Sequence, residues 1–428
     1  MSVIDLKVEK LVTGGRGLAR WDGLAVFIPG AAPGDHLRVR ITGTHRNHAT
    51  AEIITILESG PHRTPPLCPR FGVCGGCQLQ HLTMAEQRRL KRDVVVDSLA
   101  RIGRFDAPPP IPEVAEVSPM WAYRRKAAFK VRVVRDRTLL GFHQTSSHRI
   151  VDLEQCPVLR PELNALMQPL RALVNTLSIR ARVPQLDVMV GDTGIGVIVH
   201  IIDPMSDQDR DRCLEFARMH HLARLDVQQG RKDRLVSLVQ QGVLAYHLEG
   251  MTLKFLPVDF IQINAEGNIN LVARAMHAAG KGGVAWDLFS GIGNFTLPLA
   301  KRYEGVAAVE GNRSSLDRLR LNSRKAGFLH THTLQADLFS REGLEALSHL
   351  PTPELVLMDP PREGAVALCK HMGQHRPRRL IYVSCDPATF GRDAAILGHL
   401  GGQLVAVTPV DLFPHTSHVE LVAVFDWQ

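Results

Sequence analysis

Two side chains carry the sharpest chemical signal in this chain. Cys385 closes the apolar stretch Leu380-Ile381-Tyr382-Val383-Ser384, and Glu420 follows after Phe413-Pro414-His415-Thr416-Ser417-His418-Val419. A thiolate is one of the few side chains that adds to an electron-poor ring carbon, and a carboxylate can then remove a proton from the adduct. The run before Cys385 reads as a buried strand, and Pro387 ends it. Catalytic groups of α/β folds sit at the carboxyl ends of strands. A lone cysteine is more often an inert core residue, so the surroundings must decide. By residue type alone, His415 and His418 rank level with Glu420 as bases.

A second group suggests a nucleotide-type cofactor. Val284-Ala285-Trp286-Asp287-Leu288-Phe289-Ser290-Gly291-Ile292-Gly293-Asn294 reads as a strand entering a glycine turn, then a helix. Such a turn lets backbone approach a ligand closely. The third glycine of a dinucleotide fingerprint is missing, which favours S-adenosylmethionine over NAD. Glu310 ends the next apolar strand, where an acid can bond ribose hydroxyls, and Asp337 ends the third. Asp359, in Asp359-Pro360-Pro361-Arg362, follows the fourth and faces the same crevice. Each acid alone is more often a helix cap or loop carboxylate; their order on successive strands favours a cofactor.

A third group is Cys68-x5-Cys74-x2-Cys77, with Cys156 after 78 further residues. Four thiolates suit zinc or an iron–sulfur cluster, and spacing does not separate the two. It is not the C-x3-C-x2-C of radical enzymes, which favours a structural role. Seven cysteines in a long chain do not suggest a disulfide framework.

These groups need elements to hold them. At 428 residues, 45% apolar and 22% charged, the chain should form two or three ordinary globular domains. No apolar run is long enough to span a membrane, and Met1–Lys10 lacks a signal-peptide layout, giving a cytoplasmic expectation. Short strands at 4–11, 24–28, 36–43 and 50–57, broken by turn signals at 13–17, 29–30 and 33–35, suggest a small β-barrel. Residues 83–103 fit a helix with Thr83 as N-cap and Glu86 completing a capping box. Residues 107–112 form a Pro-rich linker. Leu186–Val190 and Ile195–Ile202 form a hairpin across Gly191-Asp192-Thr193-Gly194. Strands at 284–289, 305–309, 331–335, 354–358, 379–384 and 403–407, with helices between most of them, are the pattern of a doubly wound α/β domain. Net charge is +8, and residues 121–149 hold eight Lys or Arg against one acid. That strip is either a solvated strand face or a polyanion contact.

Taken together, the motifs resemble the RNA uracil-5-methyltransferases, in particular the type acting on 23S ribosomal RNA. The resemblance covers nearly the whole chain and rests on DLFSGIGNFTLPLA, DPPR, VSCDPAT and FPHTSHVE in that order, with the cysteine spacing. It implies an N-terminal OB-like TRAM barrel at 1–60 that binds RNA, and an iron–sulfur cysteine segment at 61–82. A helix and linker at 83–112 would pack on the catalytic domain. A basic central α+β domain at 113–254 would bring the fourth cysteine. A Rossmann-like S-adenosylmethionine-dependent methyltransferase domain would fill 255–428. The resemblance implies Cys385 as nucleophile and Glu420 as general base. It puts cofactor contacts on Gln262, Phe289, Asn294, Glu310, Asp337 and Asp359, and a 4Fe–4S cluster on Cys68, Cys74, Cys77 and Cys156. Two positions depart from the family pattern: Ser290, where Cys is common, and Asp386, where Asn usually follows the nucleophile. A carboxylate facing the sulfur would oppose its ionisation.

The expected reaction is addition of Cys385 to uracil C6, methyl transfer to C5, and removal of the C5 proton by Glu420. The RNA partner is 23S ribosomal RNA; the alternatives are another 23S uridine or transfer RNA. The transfer-RNA relatives are expected to be shorter and to lack the barrel and the cluster. A monomer is expected, with no obligate protein partner. Rivals from other classes are an amino-group methyltransferase, suggested by Asp-Pro-Pro, and a non-catalytic RNA-binding scaffold.

Overall fold

The structure, a computed structural model, describes residues 2–116, 119–230 and 235–427. At the N-terminal end β1 (Val3–Lys7), β2 (Lys10–Val12), β3 (Arg16–Trp21), β4 (Leu24–Ile28), β5 (His36–Thr44) and β6 (His48–Glu58) form one sheet in the order β1-β5-β6-β4-β3-β2. Alternation along β5 turns Leu37, Val39 and Ile41 inward and Arg38 and Arg40 outward, as a half-buried strand requires. The turn signal at 13–17 hid the start of β3. Gly17 lies inside that strand, where a Cβ would stand 2.7 Å from the Ala31 methyl. The glycine there answers a close approach between segments, not a turn.

Helix α1 (Met84–Arg101) begins at Thr83, whose side chain accepts from the Glu86 N–H at 3.4 Å. The box expected there is half made, because the Glu86 carboxylate grips Arg89 at 2.6 and 2.8 Å. Val95 and Leu99 of α1 join the core of the C-terminal unit. There the helix meets α9 (Pro387–His399) at Gly391, where a Cβ would stand 2.7 Å from the Ser98 hydroxyl.

The middle of the chain contributes β7 (Lys126–Val134), β8 (Arg137–His143), β9 (Ile150–Asp152), α2 (Pro161–Thr176), β10 (Gln185–Gly191), β11 (Gly194–Ile201), α3 (Asp207–Met219), β12 (Arg224–Gln229) and β13 (Leu235–Gln240). Its sheet runs β13-β12-β11-β10-β7-β8-β9, with β11 and β12 parallel. The basic strip divides into two kinds of residue. Arg125 is buried, Lys126 donates to the carbonyls of Pro257 and Asp259, and Lys130 bonds Gln185, so these hold protein to protein. Arg132, Arg135 and Arg149 are exposed.

A hairpin of β14 (Leu244–Leu248) and β15 (Met251–Phe255) and helix α4 (Ala265–Ala279) lead into the last unit. That unit comprises β16 (Gly282–Leu288), α5 (Thr296–Ala300), β17 (Tyr303–Glu310), α6 (Arg313–Lys325), β18 (Thr331–Gln335), α7 (Arg341–Glu345), β19 (Leu355–Met358), α8 (Val366–His375), β20 (Arg379–Ser384), α9, β21 (Gln403–Val410) and β22 (Glu420–Asp426). The sheet order is β18-β17-β16-β19-β20-β22-β21, parallel as far as β20. Strand β22 was not anticipated. It enters antiparallel between β20 and β21 and follows β21 with no helix, so the strand–helix alternation gives no cue for it.

Candidate active site and cysteine cage

Cys385 follows β20, and Glu420 opens β22. The two strands pair antiparallel with Ser384 opposite Leu421, so the next position on each strand sets Cys385 across from Glu420. Glu420 is buried, and burial raises its pKa to about 8, with Asp359 adding to the rise and Arg362 opposing it. Burial also pushes the Cys385 thiol up to about 12; Glu420, Asp359 and Asp386 add to this and Arg362 opposes it. Asp359 lies beyond β19, and burial raises it to about 7.

Asp386 has a structural task of its own. Its Oδ1 accepts the N–H groups of Ala388 and Thr389 at 2.9 and 3.1 Å, as the N-cap of α9. It remains the last of the groups raising the Cys385 pKa. The competing histidines are less suited to the base role. Burial is the main cause lowering both His415 and His418 to about 4. The His415 ring also stacks on Trp121 at 3.6 Å between centroids, and its Nδ1 meets Gln87 Nε2 at 3.3 Å.

The cofactor candidates line the carboxyl ends of β16 to β19 and the approach to them. Phe289 has φ +65°, a rare conformation for a non-glycine residue, at the turn after β16. Its ring lies 5.6 Å from that of Phe339. Glu310 accepts from the N–H of Gly291 at 3.0 Å and of Asn312 at 2.7 Å, so it braces the glycine turn. Asp337 accepts from the Phe339 N–H at 3.0 Å. Asn294 is paired reciprocally with Asn268 at 2.8 and 2.9 Å and accepts from the Tyr246 hydroxyl at 3.0 Å. Its amide therefore ties α4 and β14 to the glycine turn. Gln262 is buried, and its carbonyl accepts from Arg125 Nε at 2.7 Å.

Residues not singled out from sequence also matter here. Asp287, fully buried, is raised to about 7 chiefly by burial; Thr296 donates to its Oδ2, while its Oδ1 has no partner. Arg125 stacks on the Tyr246 ring at 4.6 Å and leaves its Nη2 unpaired. Buried unpaired polar atoms of this kind are costly and call for an explanation. Only Arg125 had a sequence signal, and there it merged with the basic strip.

The four cysteines of the spacing pattern, Cys68, Cys74, Cys77 and Cys156, line one cavity of about 380 Å³ with Phe71, Gln80 and Phe142. Cys74 pairs as an isolated bridge with Gln144, and the Gly75 N–H donates to the His143 carbonyl at 3.0 Å, so the loop docks on the end of β8. Burial raises Cys77 to about 11 and Cys156 to about 12, and the neighbouring thiols add to both. The Gly76 and Val158 backbone and the Gln80 side chain partly oppose the rise at Cys74, Cys156 and Cys77 respectively. Among the described residues, no three His, Cys, Asp or Glu side chains converge as a group that would hold a single ion.

Residues 100–426 match the tRNA (uracil-5-)-methyltransferase family, and residues 1–54 match the TRAM domain. The 23S rRNA (uracil(1939)-C(5))-methyltransferase RlmD of Stenotrophomonas maltophilia (strain R551-3) is 36% identical over 423 residues, 96% of this chain and 94% of its own. The protein of the same name from Xylella fastidiosa (strain 9a5c) is 37% identical over 435 residues, 99% and 96% of the two chains. The tRNA (uracil-54, C5)-methyltransferase of Pyrococcus abyssi, solved with S-adenosyl-L-homocysteine, has a TM-score of 0.75 at 22% identity, over 99% of this chain and all of that one. This likeness shows the fold. It also overturns the expectation of shorter transfer-RNA relatives, since a protein named for transfer RNA spans this whole chain. The chain belongs to the tRNA (uracil-5-)-methyltransferase family and carries a TRAM domain at its N-terminal end.

Proposed function

We propose that the protein transfers a methyl group from S-adenosylmethionine to C5 of a uridine in 23S ribosomal RNA, at the position that its relatives' names give as 1939. The observation that carries the chemistry is the register of β20 and β22, which sets a thiol opposite a buried carboxyl. The choice of ribosomal RNA rests on the end-to-end relatives, because the fold is shared with a protein named for transfer RNA.

Uracil C5 is too weak a nucleophile to take a methyl group unaided. Cys385 adds through its sulfur to C6, which turns C5 into an enolate-like carbon. C5 then takes the methyl group in line. Glu420 removes the C5 proton, the C–H electron pair restores the C5–C6 double bond, and the C6–S bond breaks to release the thiolate. S-adenosylmethionine supplies the methyl group together with a sulfonium charge. A cation in this crevice would lower the raised pKa of Cys385, Glu420 and Asp359 alike, and so ionise both the nucleophile and the base. Glu310 and Asp337 suit ribose and adenine, and Phe289 offers a stacking face. Gln262, Asn294 and Asp359 complete the proposed contacts.

The cysteine cage suits a 4Fe–4S cluster held by Cys68, Cys74, Cys77 and Cys156. A single zinc ion would draw its sulfurs to within about 3.8 Å of one another at a Zn–S distance of about 2.3 Å. Four thiols around one cavity would supply the four ligands of a polynuclear core. The cluster would hold this segment in shape; no step of the reaction needs it. The TRAM domain and the exposed Arg132, Arg135 and Arg149 would take RNA phosphates, and the target base must leave its stack to reach Cys385. A cytoplasmic monomer fits this role.

The test is methyl transfer from labelled cofactor to ribosomal RNA that lacks the modification, with the product mapped. Label at C5 of one 23S uridine is expected. Cys385→Ala should abolish both transfer and the covalent adduct with 5-fluorouridine RNA. An active Cys385→Ala enzyme would sink the mechanism and favour an amino-group methyltransferase. No transfer to any RNA would favour a binding scaffold.

A further inference from the structure

Residues 411–419 join β21 to β22 and deliver Glu420. They are held from several sides. Lys91 and Asp411 form a buried ion pair at 2.5 Å, and Lys91 also donates to the Phe413 carbonyl at 2.9 Å. The Tyr123 hydroxyl donates to the Pro414 carbonyl at 2.9 Å, and the Asn264 amide donates to the Leu412 carbonyl at 3.0 Å.

The apex, His415, has φ +67°. A non-glycine residue stays in that region only where its surroundings impose it. Here the His415 carbonyl accepts from the N–H groups of Gln78 and Leu79, both at 3.0 Å. Its own N–H donates to Gln87 Oε1 at 2.9 Å. Gln78 reaches further. Its Nε2 donates to the Gly75 carbonyl at 2.9 Å, and its Oε1 accepts from the Ser417 N–H at 3.4 Å. Gly75 lies between Cys74 and Cys77, and Gln78 follows Cys77 directly.

We propose that Gln78 and Gln87 are positioning residues for Glu420, and that the cysteine loop is the template against which the base is set. The inference rests on the reading of Glu420 as the base. Cys385 has separate supports. Asp386 caps α9, and Asp393 of α9 accepts from the Tyr382 hydroxyl at 2.7 Å and from the Ala365 N–H at 2.6 Å. Loosening the 411–419 loop should therefore spare thiol addition and methyl transfer and impair the step that follows. Misplacement by about 1 Å can cost up to roughly 100-fold in rate.

The experiment uses the full chain, anaerobically purified, with a ribosomal RNA fragment bearing either protium or deuterium at C5 of the target. Covalent protein–RNA adduct is followed on denaturing gels, with cofactor binding by calorimetry and cluster content by iron assay and visible absorbance. In Gln78→Leu and Gln87→Met, adduct release should slow by roughly ten- to a hundredfold and its deuterium isotope effect should grow. Adduct formation, cofactor affinity and iron content should stay within about twofold of the parent. Gln78→Glu keeps an oxygen for the Ser417 N–H and should recover part of the release rate. Gln78 is only partly buried, so its variants are not core disruptions. Release at the parental rate in both variants would overturn the proposal. So would a parallel fall in adduct formation and release, the mark of a general structural defect. Glu420→Gln is the control. If it fails to trap the adduct, the base assignment falls first and the positioning role falls with it.

Discussion

The cysteine cage and the carboxyl crevice both bury ionisable groups, yet their environments ask opposite things of them. In the cage, burial raises Cys74, Cys77 and Cys156, and neighbouring thiols add to each rise. That arrangement favours thiolates only once something positive stands among them. In the crevice, Asp287, Asp359 and Glu420 are raised mainly by burial, and Arg362 opposes the rise at Glu420. Proton affinity near neutrality is what a group needs if it is to take up and give back a proton. The lesson is that burial alone does not define a role. The donors and charges around the buried group decide whether it holds or exchanges.

The largest expected effect breaks the comparison at the cage. Cys156→Ala should cost the iron and its colour, and lower Tm on the order of 10 °C, the shift that roughly 3–4 kcal/mol gives in a domain of this size. Cys213→Ala is the control, because Cys213 is a buried core thiol among apolar neighbours. Retained iron in Cys156→Ala would remove that cysteine from the ligand set.

Next in size is Glu420→Gln. Turnover should fall by about 10²- to 10⁴-fold, the usual contribution of a general base. The adduct through Cys385 should accumulate on gels. Rapid release by this variant would move the base role elsewhere.

A smaller effect concerns pH and stability in the absence of cofactor. Burial raises Asp287, Asp359 and Glu420 in the folded state to about 7, 7 and 8, above the usual carboxylate range. The folded state therefore binds more protons, and this part of the stability declines as pH rises through those values. His81, His415 and His418 are lowered to about 4, so their part grows as pH rises from 4 and is complete above 6.5. The two trends oppose each other at acid pH, which leaves a net fall between about pH 6.5 and 8. Thermal melts should show that fall, and Asp287→Asn should flatten it. Cys77 and Cys156, raised to about 11 and about 12 chiefly by burial, lie above this window. A melt profile level from 6.5 to 8 would contradict the raised carboxyls.

The smallest effect tests how far the crevice tunes Cys385. Asp386→Asn keeps a good N-cap for α9 and removes one charge from the sulfur's surroundings. Adduct formation should quicken by roughly two- to fivefold at neutral pH, consistent with a minor electrostatic cause. A slower rate would assign Asp386 a part in substrate binding.

Much of the candidate site was legible because its signals are local. Glycines, acids at strand ends and an apolar run before Cys385 all lie within short windows. The roles of Asn294 and Glu310 were less legible. Both were expected to face a cofactor, and what the structure shows is that both brace the glycine turn, through Asn268 and the Gly291 N–H. Asp287 escaped notice because an acid inside an apolar strand reads as a strand end until its burial is known. The basic strip misled in part, because a charge run does not reveal that Arg125 and Lys126 turn inward.

Sequence by itself determined the residue types, their order, and the periodicities that make a strand of 379–384 and a helix near 84–101. These depend on neighbours along the chain. Tertiary structure alone decided which of them meet. Strand β22 enters the sheet antiparallel and sets Glu420 across from Cys385, while the cysteine loop closes on His415. Such pairings join residues far apart in the chain. They depend on the register of hydrogen bonds between strands and on the docking of one buried segment on another.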